Sequence, residues 1–411
     1  MRVIGIIAEY NPFHKGHAYM LKEIRHKFPG AAILAVMSGS FTQRGEAAIL
    51  DKWQRAQMAV QGGCNLVLEL PFAFAVRSAQ DFARGAILLL ERLGIVNEIA
   101  FGMECNAPEK LQKVARLIDT EDVQEKLHAS IRKGQSYAAA LTSALSESLG
   151  IEEALLKQPN TILAMEYFRT LHLAKSRMTT FPIKRHGTGY HDTSVQESIA
   201  SASAIRRELR KTTPDWTALA RILPETSLPC LKQHMLLANN NLLYRPLLAR
   251  LCTMNPGQLQ EIQGINEGLE NRLLASIQRT HSLEEIIQET ASKRYPQSRI
   301  QRIVPHLLIG STKEQCAEAD RLGPQYARVL SFDDKGRELL CGIKAKGALP
   351  LITKASHFLT GKEMRLQPDV LTPLQRMLRL DFLASDLQEL CRPQISGPGK
   401  DFLISPVYVS F

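Results

Sequence analysis

Val3 to Tyr10 reads VIGIIAEY, apolar at nearly every position with no clean alternation, as in a strand covered on both faces. HAYMLKEIRHKF follows with helical spacing and stops at the turn Pro29-Gly30. The same exchange of periods recurs: AAILAVMSGSF predicts a second strand, and LDKWQRAQMAVQGG a helix ended by its glycines. NLVLELP predicts a third strand stopped by Pro71, then SAQDFARGAILLLERLG a helix, NEIAFGME a fourth strand and TTFPIKRHG a fifth. Strand and helix in strict succession predict an α/β fold built on a doubly wound parallel sheet. Such sheets hold their ligands at the carboxyl ends of the strands.

Helical spacing fills the stretch from about Pro108 to Lys175, between the fourth and fifth strands. From Asp215 to about Ile309 helical segments such as LENRLLASIQRT and SLEEIIQETASKRY follow one another without apolar strand runs. A third texture begins near Gln325, where YARVLSF-DDKG-RELLCGI predicts a hairpin turning at Asp-Lys-Gly. LPLITKA adds a further short strand and PLQRMLRLDFLASDLQELC a late helix. The expected division is a sheet domain over 1–212, with a helical insert at about 108–175, and a mostly helical region over 213–411 containing a small β element.

At 411 residues the chain is long enough for two or three domains. No apolar run approaches the roughly 20 residues that span a bilayer, so no membrane association is expected. RVIGIIAEY, without a small-residue cleavage site, is expected to be a strand and not a signal peptide. The seven cysteines are scattered and none forms a C-x-x-C pair, which suggests small buried side chains in a reducing compartment, not disulfides or zinc. The charge of +10, from 51 basic against 41 acidic residues, raises the odds of a polyanionic partner only weakly.

Candidate chemistry begins where the first strand ends. With Asn11 to His14 as the loop, Gly16 and His17 open the next helix, whose free N–H groups attract an anion. Imidazoles add directed donors on either side, and Gly16 lets the backbone approach closely. Without context, two histidines at a helix start are more often solvated or capping residues than ligands. Here the context is a βα series, and SASAIRR, otherwise a serine cap before a basic helical face, offers a second phosphate-binding candidate.

His14-Lys15-Gly16-His17 resembles the H-x-G-H signature of the nucleotidyltransferase superfamily, and Ser201, Ser203 and Arg206 resemble its second, phosphate-holding motif. More closely, GIIAEYNPFHKGHAYML, GSFTQRGE, DKWQRAQMA, LVLELPFAF, FGMEC, QPNTILAMEY, PIKRHGTGYHD and KRYPQSRIQR resemble the tRNA(Met) cytidine acetate ligase family over essentially the whole chain. Cys64-Asn65 and Met103 depart from the residues usual there. The resemblance implies a Rossmann-like nucleotidyltransferase fold and a cytoplasmic ligase. Such an enzyme activates acetate with ATP as acetyl-adenylate and acetylates the wobble cytidine of elongator tRNA(Met). It implies an ATP site of Ile7, Ala8, Glu9, Tyr10, Asn11, Pro12, Phe13, His14, Lys15, Gly16, His17, Ala18, Tyr19 and Met20, with Gly102, Asn160, Arg185, His186, Ser201, Ser203 and Arg206. His14 and His17 are the expected catalytic pair.

Each of these has a plainer reading. Gly102 suits a turn after a strand, and Asn160 suits an N-cap for TILAMEYFRTL. Arg185, at a strand end, suits phosphate. GSFTQRGE is a polar loop or a lid, and Glu69 is expected in an ion pair. Lys293, Arg294, Arg299 and Arg302 bracket Tyr295, a solvated surface or, with the resemblance, the tRNA contact with the tyrosine stacking on a base. Mg2+ is expected to accompany ATP, with no carboxylate cluster marking a protein metal site. Two rival functions remain: transfer of AMP or CMP to a small phosphorylated metabolite, and RNA binding without catalysis.

Overall fold

The computed structural model describes residues 1–104, 107–149, 156, 158–185, 201–233 and 237–411. Its sheet takes strands β1 (Val3–Ala8), β2 (Ala32–Ser38), β3 (Leu66–Leu70), β4 (Glu98–Met103) and β5 (Thr179–Lys184) in the order β5-β4-β1-β2-β3, all parallel. The order reverses between β1 and β4, which is where a doubly wound sheet opens a crevice.

The unalternating apolar runs are explained by the core. In β2, Ala32, Leu34 and Val36 join one hydrophobic cluster, while Ile33, Ala35 and Met37 join another on the opposite face. Leu21 and Ile24 of the helix Lys15–Lys27 and Trp53 of Lys52–Gln61 cover the second face. Phe82, Ile87 and Leu90 of Ala79–Arg92 cover the first. The expected insert consists of helices Pro108–Leu117, Glu121–Arg132, Tyr137–Leu149 and Pro159–Leu173.

The hairpin expected near Gln325 does not form. Ala327–Phe332 is a strand, β6, but Asp333 then caps the helix Asp334–Lys346 by accepting from the Gly336 N–H at 2.7 Å. Asp-Asp-Lys-Gly is therefore a helix start, the aspartate satisfying a free N–H there. β6 pairs antiparallel with β3, and β7 (Leu351–Ile352) and β8 (Val407–Tyr408) pair with β6. Strands from both sides of position 212 thus share one sheet. Of the cysteines, Cys64, Cys316 and Cys391 are buried as expected, whereas Cys252 and Cys341 are exposed. No helix among the described residues is long and apolar enough to cross a membrane.

Candidate active site

A cavity of about 240 Å³ lies at the carboxyl ends of β1 and β4. Ile7, Ala8, Glu9, Tyr10, Asn11, His14, Gly16, His17, Tyr19 and Met20 line it, with Gly102, Asn160, Arg185 and Arg206 from elsewhere in the chain. Most of the expected ATP residues therefore converge on one crevice. Pro12, Phe13, Lys15, Ala18, Ser201 and Ser203 are not on its wall, and His186 lies outside the described residues. Phe13 is buried, its carbonyl accepting from Ser227 Oγ, and Lys15 Nζ donates to the Arg221 carbonyl at 2.6 Å.

The histidines are fixed by the helix they begin. The Gly16 N–H donates to His14 Nδ1 at 3.0 Å, and the His14 N–H donates to His17 Nδ1 at 3.2 Å. The pair is a reciprocal cap built from imidazoles. Since backbone N–H groups only donate, each Nδ1 is an acceptor and each ring carries its proton on Nε2. The rings stack with centroids 3.8 Å apart. Burial, then Arg185 and Arg206, lowers the His14 pKa to about 3. Burial, His14 and Arg185 hold His17 well below the usual imidazole range. Near neutral pH both are uncharged Nε2–H donors.

Cations and one unused donor complete the crevice. Arg206 gives hydrogen bonds to the Asn11 carbonyl at 3.1 Å, Ser203 Oγ at 3.3 Å and Glu46 at 3.3 Å. Ser201 caps the same helix, Ala202–Leu209, accepting from the Ala204 N–H. The serines thus support Arg206 from behind the wall. Arg185 packs on Gly102, where an added Cβ would stand 3.1 Å from the Arg185 Cγ; Gly102 lies within β4, not in a turn. Asn11 Oδ1 accepts from the Ile49 N–H at 2.9 Å, and its Nδ2 is buried without a partner among the described residues. An unspent donor on a cavity wall fits a ligand rich in oxygen. Burial raises the pKa of Glu9, which accepts from the Gln43 N–H at 2.5 Å.

Asn160 is not the N-cap of its helix. Gln158 holds that place, Pro159 opens the helix, and the Asn160 amide donates to Glu104 instead. Sequence reasoning also missed Arg55, wholly buried, which donates to the carbonyls of Glu9, Ser38, Gly39 and Leu50. It ties the ends of β1 and β2 together beneath the crevice, and burial lowers its pKa to about 10. Its only signal was an arginine on the apolar-rich helix DKWQRAQMA. Gln43 and Arg44 of GSFTQRGE line the cavity as well.

The expected RNA-contacting residues divide. Lys293 is exposed and Arg294 pairs with Glu267 at 2.5 Å. The helix begins only at Gln297 and carries Arg299 and Arg302. Tyr295 is only 5% exposed, its hydroxyl donating to Glu267 at 3.0 Å and its ring lying 4.8 Å from the Arg299 guanidinium. A buried ring cannot stack on a base, so the expected role for Tyr295 is replaced by support of Arg299. Arg294, Arg299 and Arg302 line a second cavity, of about 540 Å³.

A parallel α/β sheet whose reversal point holds paired neutral imidazoles beside two arginines is the arrangement of a nucleotidyl transferase, and the HIGH Nucleotidyl Transferase family model matches residues 1–400. A tRNA(Met) cytidine acetate ligase of Syntrophomonas wolfei is 36% identical, covering 99% of this chain and 99% of its own. Another, of Thermoanaerobacter sp. (strain X514), is 37% identical over 98% of both. The crystal structure of apo Thermotoga maritima TmcAL is similar with a TM-score of 0.91 and 33% identity, and its complex with alpha-thio ATP with 0.89 and 32%, each over the whole of both chains. The chain belongs to the tRNA(Met) cytidine acetate ligase family of HIGH nucleotidyl transferases.

Proposed function

We propose that the protein is an ATP-dependent ligase that joins acetate to the wobble cytidine of elongator tRNA(Met), giving N4-acetylcytidine. The observation that carries this is the pair of Nε2–H imidazoles on the wall of a crevice that also holds Arg185, Arg206 and the unspent Asn11 amide. The complex of the Thermotoga maritima relative with alpha-thio ATP supports ATP as the nucleotide, and the names of the relatives support tRNA and acetate as the other substrates.

In the first step an acetate oxygen attacks the α-phosphorus, the bond to the β-phosphate oxygen breaks, and pyrophosphate leaves with the electron pair. Negative charge grows on the phosphate oxygens, where preorganised donors are worth most. His14 and His17 supply such donors uncharged, so two stacked rings need not carry like charges beside two guanidiniums. Arg185 and Arg206 supply the positive charge. In the second step the cytidine amine attacks the acetyl carbonyl, loses a proton and expels AMP. Positioning supplies much of the rate of such a transfer.

Mg2+ would come with the nucleotide, held by its phosphates; among the described residues no three His, Cys, Asp or Glu side chains converge on a metal site. The helical part of 213–411 with Lys293, Arg294, Arg299 and Arg302 would bear the tRNA, and a tRNA substrate places the enzyme in the cytoplasm. The test is incubation with labelled acetate, ATP and bulk tRNA, followed by nucleoside digestion. Label in N4-acetylcytidine is expected. Label absent from every nucleoside, or ATP bound in crystals away from His14 and His17, would sink the reading.

A further inference from the structure

The nucleotide crevice and the second cavity both reach the loop 39–46, where they share one lining residue, Gln43. Its N–H donates to Glu9 and its Nε2 to the Arg77 carbonyl at 2.8 Å, so it is held from both sides. The loop is not a free lid. At Gly45 (φ +82°) an added Cβ would fall 2.3 Å from the Gln301 carbonyl oxygen, and Gln301 Nε2 donates to Glu46 at 3.3 Å. The helix bearing Arg299 and Arg302 is thereby fastened to the wall of the nucleotide crevice.

The second cavity presents contrasting chemistries. Leu141, Leu145 and Met165 give it apolar surface, and Arg299 and Arg302 give it positive charge. Arg302 makes no hydrogen bond or ion pair among the described residues, and burial with Arg299 and Arg44 nearby lowers its pKa to about 10. The carboxylates on this cavity's wall, Asp81 and Glu166, are paired with Arg77 and Arg169, and Asp81 offsets the burial of Arg302 only in part, so an arriving anion stabilises this guanidinium. At the same wall His306 Nε2 donates to the Val76 carbonyl at 2.8 Å, which leaves Nδ1 an acceptor, buried and without a partner among the described residues. Apolar surface, free positive charge and an unspent acceptor answer, in turn, the face, phosphate and amino group of a nucleotide turned out of its stack. The volume is within the range of pockets that enclose a small ligand.

We propose that the second cavity receives the target cytidine of the RNA, everted from its loop, and that Gln43 forms the divide across which the cytidine amine meets the activated acetyl group. This rests on the ligase reading above. The test fills the cavity from two helices remote from the histidines, with Leu141→Trp and, at an exposed position that spares the core, Ser298→Trp. Acetate-dependent exchange of labelled pyrophosphate into ATP is expected to stay within about twofold of the unaltered protein, while acetyl transfer to tRNA falls about tenfold or more. A fluorescent cytidine analogue at the target position should brighten on binding the unaltered protein and do so less with either variant. Transfer at the unaltered rate in both variants, loss of exchange together with transfer in both, or an analogue that keeps its stacked emission would overturn the proposal. Lack of exchange in the unaltered protein is a different result, the failure of the ligase reading itself.

Discussion

At the end of β3, Glu69 meets Lys52 at 2.8 Å and Arg328 at 3.3 Å, and Asp401 lies against both cations, 2.6 Å from the lysine. At the end of β1, two strands away, Arg185 and Arg206 stand with two neutral imidazoles and a buried amide that has no acceptor among the described residues. Both regions bury polar groups where strands terminate. The first pairs its charges within the chain, so it serves the fold. The second leaves donors and positive charge in excess, which suits a ligand rich in anionic oxygen. What separates the two regions is the balance of charge, not the number of charged residues: two carboxylates meet two cations in the first, whereas Glu9 lines the second with Arg44, Lys184, Arg185 and Arg206.

The comparison breaks first at Lys52. Lys52→Ala leaves Glu69 and Asp401 buried with one cation fewer, and a loss of about 3–5 kcal/mol is expected in denaturant unfolding. At the open site, His17→Ala is expected to slow acetate-dependent pyrophosphate exchange by about 10²–10³-fold, as removal of one transition-state donor does, with tRNA affinity nearly intact. If Lys52→Ala affected exchange as strongly as His17→Ala while remaining folded, the distinction between the clusters would be false. Lys293→Ala with Arg299→Ala should weaken tRNA binding and reduce its salt slope by about two, leaving exchange alone; filter binding across a salt series reads this.

The gentlest test is pH, and it separates the clusters by sign. His14 has a folded pKa of about 3 against an ordinary 6.5, so the stability linked to its neutral form is present above 6.5 and lost as pH falls toward 3. Exchange should accordingly show no histidine inflection near 6.5. Burial, then Glu69, raises the Asp381 pKa to about 8, beside Tyr326, whose hydroxyl donates to it. Stability linked to its protonated form is full below the ordinary carboxylate value of 3.8 and is lost as pH rises through 8. Melting curves of Asp381→Asn should show less loss on the alkaline side, and those of His14→Ala less on the acid side.

The five parallel strands were legible because each carries a dense apolar run broken by helical spacing, and the histidine pair because its place after β1 is set by that alternation. β6 was seen as a strand but not as the antiparallel neighbour of β3, since no local pattern encodes a partner about 260 residues away. Asp-Asp-Lys-Gly misled because the same residues serve turns and helix caps; Gly336 is needed where a Cβ would stand 2.0 Å from the Asn65 carbonyl oxygen, a tertiary reason. Arg55 was illegible for a related cause. An arginine among apolar neighbours reads as surface until the carbonyls it binds are brought together by the fold. Tyr295 showed the reverse error, an aromatic among cations that turned out to be buried.

The antiparallel strand beside β3 arrives late in synthesis, and Asp401 later still. While the ribosome is still making the helical middle of the chain, the first five strands already exist, yet one sheet margin is bare and the Lys52–Glu69 pair still lacks Arg328 and Asp401. The sheet that carries the histidine pair is therefore completed only when the tail of the chain is threaded home. A polypeptide cut short by premature termination would be left with a sticky edge along β3 and an incomplete buried ion cluster, features that favour association with other chains over folding.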